Sequence, residues 1–298
     1  MTAYLRSSTL PITLLALVLG SGCPVELTGT GTFSVSRDVP YAQGYVADTT
    51  KVDGYVLRDL HLDAYIPDDG NGGMPAVILM HGGGFAEGSK NDERIEEYGE
   101  FLAARGYAAF AINYRLIPDE PPAPASWEST SFSSAVHAAI VDAKAAIRYV
   151  RANAGAYGVD PNRIAFLGES AGAIAGVTAA VTDSNAYSND GPEFPVPASN
   201  NPGELSTLQT YVHFWGSADH VLLNIRGSAP PIMIVHGTDD DTPLATFAAA
   251  ERLHAALELW GVPHEFYEAE GFGHGAWNYS LRGLGLKSLT LEFLNEHL

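Results

Sequence analysis

Ile164-Ala165-Phe166-Leu167-Gly168-Glu169-Ser170-Ala171-Gly172 is a short apolar run that ends in G-x-S-x-G. The small residues from Ala173 to Ala180 follow it and read as a helix. A strand that enters a helix through this motif turns so sharply that Ser170 takes a strained backbone conformation. Its hydroxyl then stands out at the carboxyl edge of a sheet. Gly168 and Gly172 lack a Cβ, so strand and helix can pass closely. A chain with 31 glycines also meets such a motif in ordinary tight turns, so its meaning depends on partners elsewhere.

Upstream, Ala76 to Met80 is continuously apolar, as expected of a strand buried on both faces. It runs into His81-Gly82-Gly83-Gly84-Phe85. Ser89 and Asp92 signal a helix cap, and Ile95, Tyr98, Phe101 and Leu102 form a helical stripe closed by Gly106. Tyr107 to Asn113 is a further buried strand, and Tyr55–Leu57 and Leu60–Ile66 read as two strands nearer the start. Ser134 to Ala154 is the longest helix, with Val136, Ile140, Ala143, Ile147 and Val150 on one face and Lys144, Arg148 and Arg151 off it. Downstream come strands at Tyr211–Trp215, Pro231–Val235 and Glu265–Glu268, and helices at Leu244–Trp260 and Leu286–Leu298. Strand and helix alternate from Ala76 onward, which predicts an α/β fold with a mostly parallel central sheet, helices on both faces and right-handed crossovers. Pro121 to Ser134 is an irregular loop, and the polar segment Thr182 to Ser206 is either a lid or a surface loop.

The chain has 298 residues, enough for one large α/β domain. With 16 basic and 35 acidic residues its net charge is −19, which repels phosphate backbones and argues against a nucleic-acid partner. The one cysteine, Cys23, excludes an intramolecular disulfide. Arg6, the apolar run Leu10 to Leu19 and the small residues Gly20-Ser21-Gly22 have the three-part layout of a signal peptide. The cysteine directly after them resembles a bacterial lipoprotein signal, although Gly20 stands where a leucine is usual. Residues 1–22 are therefore expected to be a signal peptide of lipoprotein type, 23–50 a tether and edge segment, and 51–298 the catalytic domain. The protein is expected in the bacterial cell envelope, anchored to the membrane through a lipidated Cys23, and otherwise periplasmic or secreted.

A serine hydroxyl is a poor nucleophile at neutral pH and needs a base, itself oriented by a third group. Of the ten histidines, His274 lies downstream of Ser170 in a glycine-rich loop after the last short strand, where a base is expected. The orienting acid belongs at a strand end between them; Asp239, Asp240 and Asp241 all follow the Pro231 strand, and Asp219 is a weaker choice. An oxyanion needs fixed N–H donors, which Ala171, Gly83 and Gly84 are placed to supply. Glu87 stands where the third glycine of G-x-G-x-x-G belongs, so a nucleotide loop does not fit. The remaining histidines lack metal-ligand spacing, and His81 is expected to fix the glycine loop. Neither metal nor cofactor is expected.

Together, His81-Gly82-Gly83-Gly84-Phe85 and Gly168-Glu169-Ser170-Ala171-Gly172 resemble the α/β-hydrolase superfamily, in particular bacterial carboxylesterases related to hormone-sensitive lipase and feruloyl esterase. Asn113-Tyr114-Arg115-Leu116, Asp142 to Arg151, His236-Gly237-Thr238 and Gly273-His274-Gly275-Ala276-Trp277 are similar to those enzymes too. The resemblance covers about Leu60 to the C-terminus. It implies the α/β-hydrolase fold, Ser170 as nucleophile, His274 as base and, four residues after the histidine of the His-Gly-Thr motif, Asp240 as acid. Pro243 stands one residue earlier than in the family, and counting back from it gives Asp239 instead. Ala173 replaces a glycine usual in the lipase-like branch, which makes the feruloyl-esterase-like branch the nearer one. The implied activity is hydrolysis of small or polymeric carboxylic esters. An amidase or peptidase on the same fold and a surface-anchored binding protein without catalysis are the competing readings.

Overall fold

The computed structural model of the chain describes residues 31–50, 54–68, 70, 72–128 and 130–298. The expected signal peptide and Cys23 lie outside the described residues. Strand β1 (Phe33–Ala47) pairs antiparallel with β2 (Tyr55–Pro67). They are followed by β3 (Met74–Met80), α1 (Glu93–Ala103), β4 (Ala108–Ile112), α2 (Ser131–Ala152), the short α3 (Ala154–Tyr157), β5 (Val159–Glu169) and α4 (Ala171–Val181). The chain closes with β6 (Thr210–Phe214), β7 (Ile232–Gly237), α5 (Phe247–Trp260), β8 (His264–Ala269), a small hairpin at residues 280–285 and α6 (Leu286–His297). The eight strands form one sheet in the order β1-β2-β4-β3-β5-β6-β7-β8. The strands from β4 to β8 run parallel to their neighbours, and β1 and β2 add an antiparallel edge. This is the α/β-hydrolase fold.

Side chains alternate across a strand, so a strand covered on both faces must be apolar at every position. In β3, Ala76, Ile78 and Met80 join the core under α2, α4 and α5, while Val77 and Leu79 join the core under α1 and α6. Burial of this kind contributes about 1.5–3 kcal/mol per large aliphatic side chain.

Four expectations change. Tyr55–Leu57 and Leu60–Ile66 are one continuous strand, because β1 pairs along nearly its whole length. The edge strand β1 also belongs to the same sheet as the residues beyond position 51, so the boundary there does not separate two bodies. Asp92 precedes α1, but its carboxylate accepts from Ser89 N and Oγ rather than from the helix. Lys144 and Arg148 lie off the apolar stripe yet are buried, because the segment 182–206 covers the outer side of α2. Lys144 Nζ donates to Asp183 O at 2.6 Å and Arg148 Nε to Asn200 O at 2.9 Å. Burial pushes the Lys144 ammonium down to about 8.

Arg115, just past β4, is fully buried and ties the same segment to the body. Its guanidinium donates to both oxygens of Asp142 on α2, to Asp190 Oδ2 at 2.7 Å and to Tyr45 O at 3.1 Å. Removing one partner of a buried ion pair leaves an uncompensated charge. Arg115→Leu, which strands Asp142 and Asp190 together, is expected to lower unfolding free energy by about 3–5 kcal/mol. Urea denaturation of the two proteins checks this; a loss below about 1 kcal/mol contradicts it, since that is the range of exposed pairs.

Candidate active site

Parallel neighbours present their carboxyl ends at one edge of the sheet, where open α/β sheets place their sites. The loops after β3, β5, β7 and β8 all emerge there, bringing the glycine loop, Ser170, Asp240 and His274 together. The turn at Ser170 has φ 52 and ψ −117, a left-handed conformation for a residue with a Cβ. A Cβ at Gly168 would lie 2.3 Å from Gly172 O, and one at Gly172 would lie 2.3 Å from Met80 O. Glycine at both positions is therefore required for β5, α4 and the end of β3 to meet. Ser170 N donates to Phe214 O at 2.9 Å and holds the turn to β6.

His274 Nε2 lies 2.8 Å from Ser170 Oγ, and its Nδ1 lies 2.8 Å from Asp240 Oδ2. The carboxylate only accepts, so Nδ1 carries the hydrogen and Nε2 is free to accept the serine proton. Asp240 has a fully buried side chain. Burial alone would raise its carboxyl, but hydrogen bonds from His274 and from Thr242 N hold it below the usual carboxylate value. Asp239 is exposed, and Asp219 is a surface partner of Arg252 at 2.7 Å, so neither faces the imidazole. A Cβ at Gly237 would lie 2.2 Å from Phe272 O, which shows how closely the acid's loop packs on the histidine's loop. Trp277, three residues past His274, packs edge-on against Trp215 with ring centroids 4.7 Å apart and anchors that loop.

The glycine loop takes left-handed φ values in succession at Gly83 (95°), Gly84 (61°) and Phe85 (61°). Gly83 and Gly84 are exposed, and Ala171 opens α4, where a helix N-terminus leaves amide hydrogens without helical partners. His81 stacks on Tyr114 and its Nδ1 is 2.8 Å from Gly82 O; Tyr114 Oη donates to the carbonyls of both His81 and Gly82.

Sequence reasoning missed Glu169. Its carboxylate accepts from Gly82 N on one side and from Trp215 Nε1 at 3.0 Å on the other. It thereby fastens the glycine loop to the turn that carries Ser170. Burial raises its carboxyl above the usual value against the pull of these two donors. The position within G-x-S-x-G was visible, but its partners come from two distant strands.

An apolar cavity of about 280 Å³ lies against the first turn of α4, lined by Trp127, Phe132, Val136, Ile174, His220 and Leu244 among others. Ile174 is one helical turn beyond Ser170. Ser217, also in its wall, follows Gly216, where a Cβ would lie 3.1 Å from Ser170 O. Among the described residues, Glu265, Glu296 and His297 bring potential metal-ligating atoms within 4.8 Å of one another. Glu265 is near the amino end of β8, at the opposite edge of the sheet from the cleft.

The chain matches the BD-FAE family over residues 62–224. It is 35% identical over 118 residues to fumonisin B1 esterase of Sphingopyxis macrogoltabida, covering 39% of this chain and 22% of that protein. It is 31% identical over 118 residues to para-nitrobenzyl esterase of Bacillus subtilis, covering 39% of this chain and 23% of that one. The chain thus spans less than a quarter of the length of these curated relatives. Among solved structures it is similar to Thermogutta terrifontis esterase 2 phosphoramylated by tabun, with a TM-score of 0.64, 26% identity, and coverage of 92% of this chain and 97% of that one.

In Glu169→Gln, one of the two donors, Gly82 N–H or Trp215 Nε1–H, must face an amide NH₂. Turnover of an ester is expected to fall by roughly tenfold or more with little change in KM, as for loss of a transition-state contact. Steady-state kinetics on 4-nitrophenyl acetate checks it; an unchanged kcat means that Glu169 does not hold the glycine loop in its working position.

Proposed function

The chain belongs to the BD-FAE family, and from that premise we propose that it is a serine hydrolase of carboxylic esters that works through an acyl-enzyme on Ser170. The observation that carries the reading is the unbroken line of contacts at 2.8 Å from Ser170 Oγ through His274 to Asp240. His274 Nε2 takes the hydroxyl proton as Ser170 Oγ attacks the ester carbonyl. Negative charge then develops on the carbonyl oxygen, toward the amides of Ala171, Gly83 and Gly84. The N-terminus of α4 adds its partial positive charge on the same side. Collapse expels the alcohol, protonated by His274, and leaves the acyl group on Ser170. Water deprotonated by the same imidazole releases the acid and restores the enzyme.

The apolar cavity supports a short acyl chain or a single aromatic ring beside the scissile bond. Its volume of about 280 Å³ equals that of roughly nine water molecules. The acidic surface favours neutral over anionic esters. For the cell, the reading is an exported protein of the bacterial envelope held by a lipid on Cys23, supported by the charged start, apolar run and small residues before that cysteine. Metabolic labelling with an alkyne fatty acid, followed by fractionation of wild type and Cys23→Ala, tests the anchor; no label on wild type rejects it.

Ser170→Ala is expected to lose on the order of 10⁴–10⁶ in kcat on 4-nitrophenyl acetate and butyrate. Asp240→Asn should lose on the order of 10⁴, as a misoriented histidine does in a serine triad. Asp239→Asn should stay near wild type. Turnover that survives Ser170→Ala, or equal losses in both asparagine variants, contradicts the assignment. Ile174→Trp fills the cavity, so its kcat/KM on butyrate should drop more than on acetate; a uniform loss places the acyl group elsewhere.

A further inference from the structure

Asp240 faces a second histidine. His236, the fifth residue of β7, is fully buried, and its Nε2 lies 3.0 Å from Asp240 Oδ2. That is the same oxygen that His274 Nδ1 meets at 2.8 Å. His236 Nε2 also lies 2.8 Å from Ala245 O. A carbonyl oxygen only accepts, so Nε2 carries the hydrogen. The other ring nitrogen, Nδ1, is buried without a hydrogen-bond partner among the described residues, as expected of the bare nitrogen of a neutral ring. Burial holds His236 below the ordinary imidazole value. The ring is therefore a fixed, neutral N–H donor wedged between the acid and the carbonyl of the loop that carries it.

We propose that His236 is a positioning residue: its Nε2–H, directed at Ala245 O with Asp240 Oδ2 alongside, fixes the carboxylate of Asp240 on the line to His274. This rests on the reading of Ser170, His274 and Asp240 as a catalytic triad. The other carboxylate oxygen, Oδ1, accepts from Thr242 N at 3.0 Å in the loop after β7, while Oδ2 has His236 Nε2 at 3.0 Å beside it. Phe247 N donates to Asp240 O at 3.1 Å and closes the loop. Without His236, Oδ2 is left with His274 alone. Its charge is then less neutralised and attracts a positive charge on the neighbouring ring more strongly. The titratable groups bearing on the pair are Asp240 itself, His236 from β7 and Glu169 from the end of β5. Only His236 changes in the test.

The experiment compares full-length wild type, His236→Phe and His236→Gln on 4-nitrophenyl acetate across pH. His236→Phe is expected to lower kcat by about tenfold with KM within about twofold. It should also move the acid limb of the kcat/KM profile to higher pH by roughly half a unit or more. Gln, whose amide N–H reaches the position of Nε2, should restore most of both. In the Ser170→Ala background, the low-field proton resonance of the His274–Asp240 bond should move with His236→Phe and return with His236→Gln. If the phenyl ring prevents folding, His236→Asn, whose amide falls short of Asp240, takes its place. Activity within about twofold of wild type and an unmoved acid limb would overturn the proposal. So would equal losses in both variants with the limb and the resonance unmoved, which is the result for a merely structural ring. Absence of any ester turnover by wild type would count against the proposed function instead, and the low-field resonance alone would then decide the role of His236.

Discussion

The backbone at Ser170 is held at φ 52 and ψ −117, where a side chain costs about 1–3 kcal/mol, and much of the cleft exists to keep it there. The turn is caught from three sides. Gly172 sits against the end of β3, Ser170 N is bonded to Phe214 O on β6, and α4 is packed over the sheet through Ala175 and Val177. Relaxing the turn would pull one of these apart. The strain is thus tied to the close approach of three neighbouring strands, and the exposed hydroxyl follows from it.

Charge in the cleft is managed by the same economy of fixed donors. Two carboxylates lie here, Glu169 next to Ser170 in sequence and Asp240 against His274, and each is held by N–H groups. Their tendencies differ. Burial dominates at Glu169 and raises its carboxyl, whereas at Asp240 burial is the largest single influence but the hydrogen bonds together outweigh it and lower the carboxyl. The carboxylate in contact with His274 is the one whose donors outweigh burial. Glu169 instead spends both its contacts on geometry, joining the glycine loop to Trp215. Because Trp215 also packs on Trp277, the glycine loop, the serine turn and the histidine loop share one aromatic support.

The fold was legible because its strands are buried on both faces: Ala76–Met80, Tyr107–Asn113 and Pro231–Val235 read as unbroken apolar runs, and β3, β4 and β7 lie within one residue of them except that β3 begins at Met74 and β7 runs on to Gly237. Ser170 and His274 were legible because glycines frame both, and glycine has a physical reason to stand at a sharp turn or a close loop contact. The choice among Asp239, Asp240 and Asp241 was not legible from the residues alone, since three like charges in a row have no periodicity to tell them apart; the family resemblance pointed to Asp240, the one that meets His274. Only tertiary packing decides which is buried. Glu169 and His236 were invisible for a related reason: their partners, Gly82, Trp215 and Ala245, are far away in sequence or across a loop. Lys144 and Arg148 misled in the opposite sense. A charged residue off an apolar stripe normally faces water, but here a later segment supplies carbonyls to cover it.

That covering segment, 182–206, resolves into a fixed wall rather than a lid. Arg115, Lys144 and Arg148 all donate into it, through Asp190, Asp183 O and Asn200 O. Asn200 is bonded to both the N–H and the carbonyl of Gln43 on β1, and Phe194 packs against Tyr45 and Tyr55. Swinging it away would strip partners from three buried cations at once, at a cost of several kcal/mol for the ion pair alone. Its Tyr187 stands against Trp127 and His137, with ring centroids 6.1 Å and 5.6 Å away, and Trp127 lines the apolar cavity. A buried ion network thus lies directly behind one wall of the cavity. Tyr187 stands only three residues before Asp190, so the ring behind Trp127 and the ion pair with Arg115 belong to one short stretch of chain.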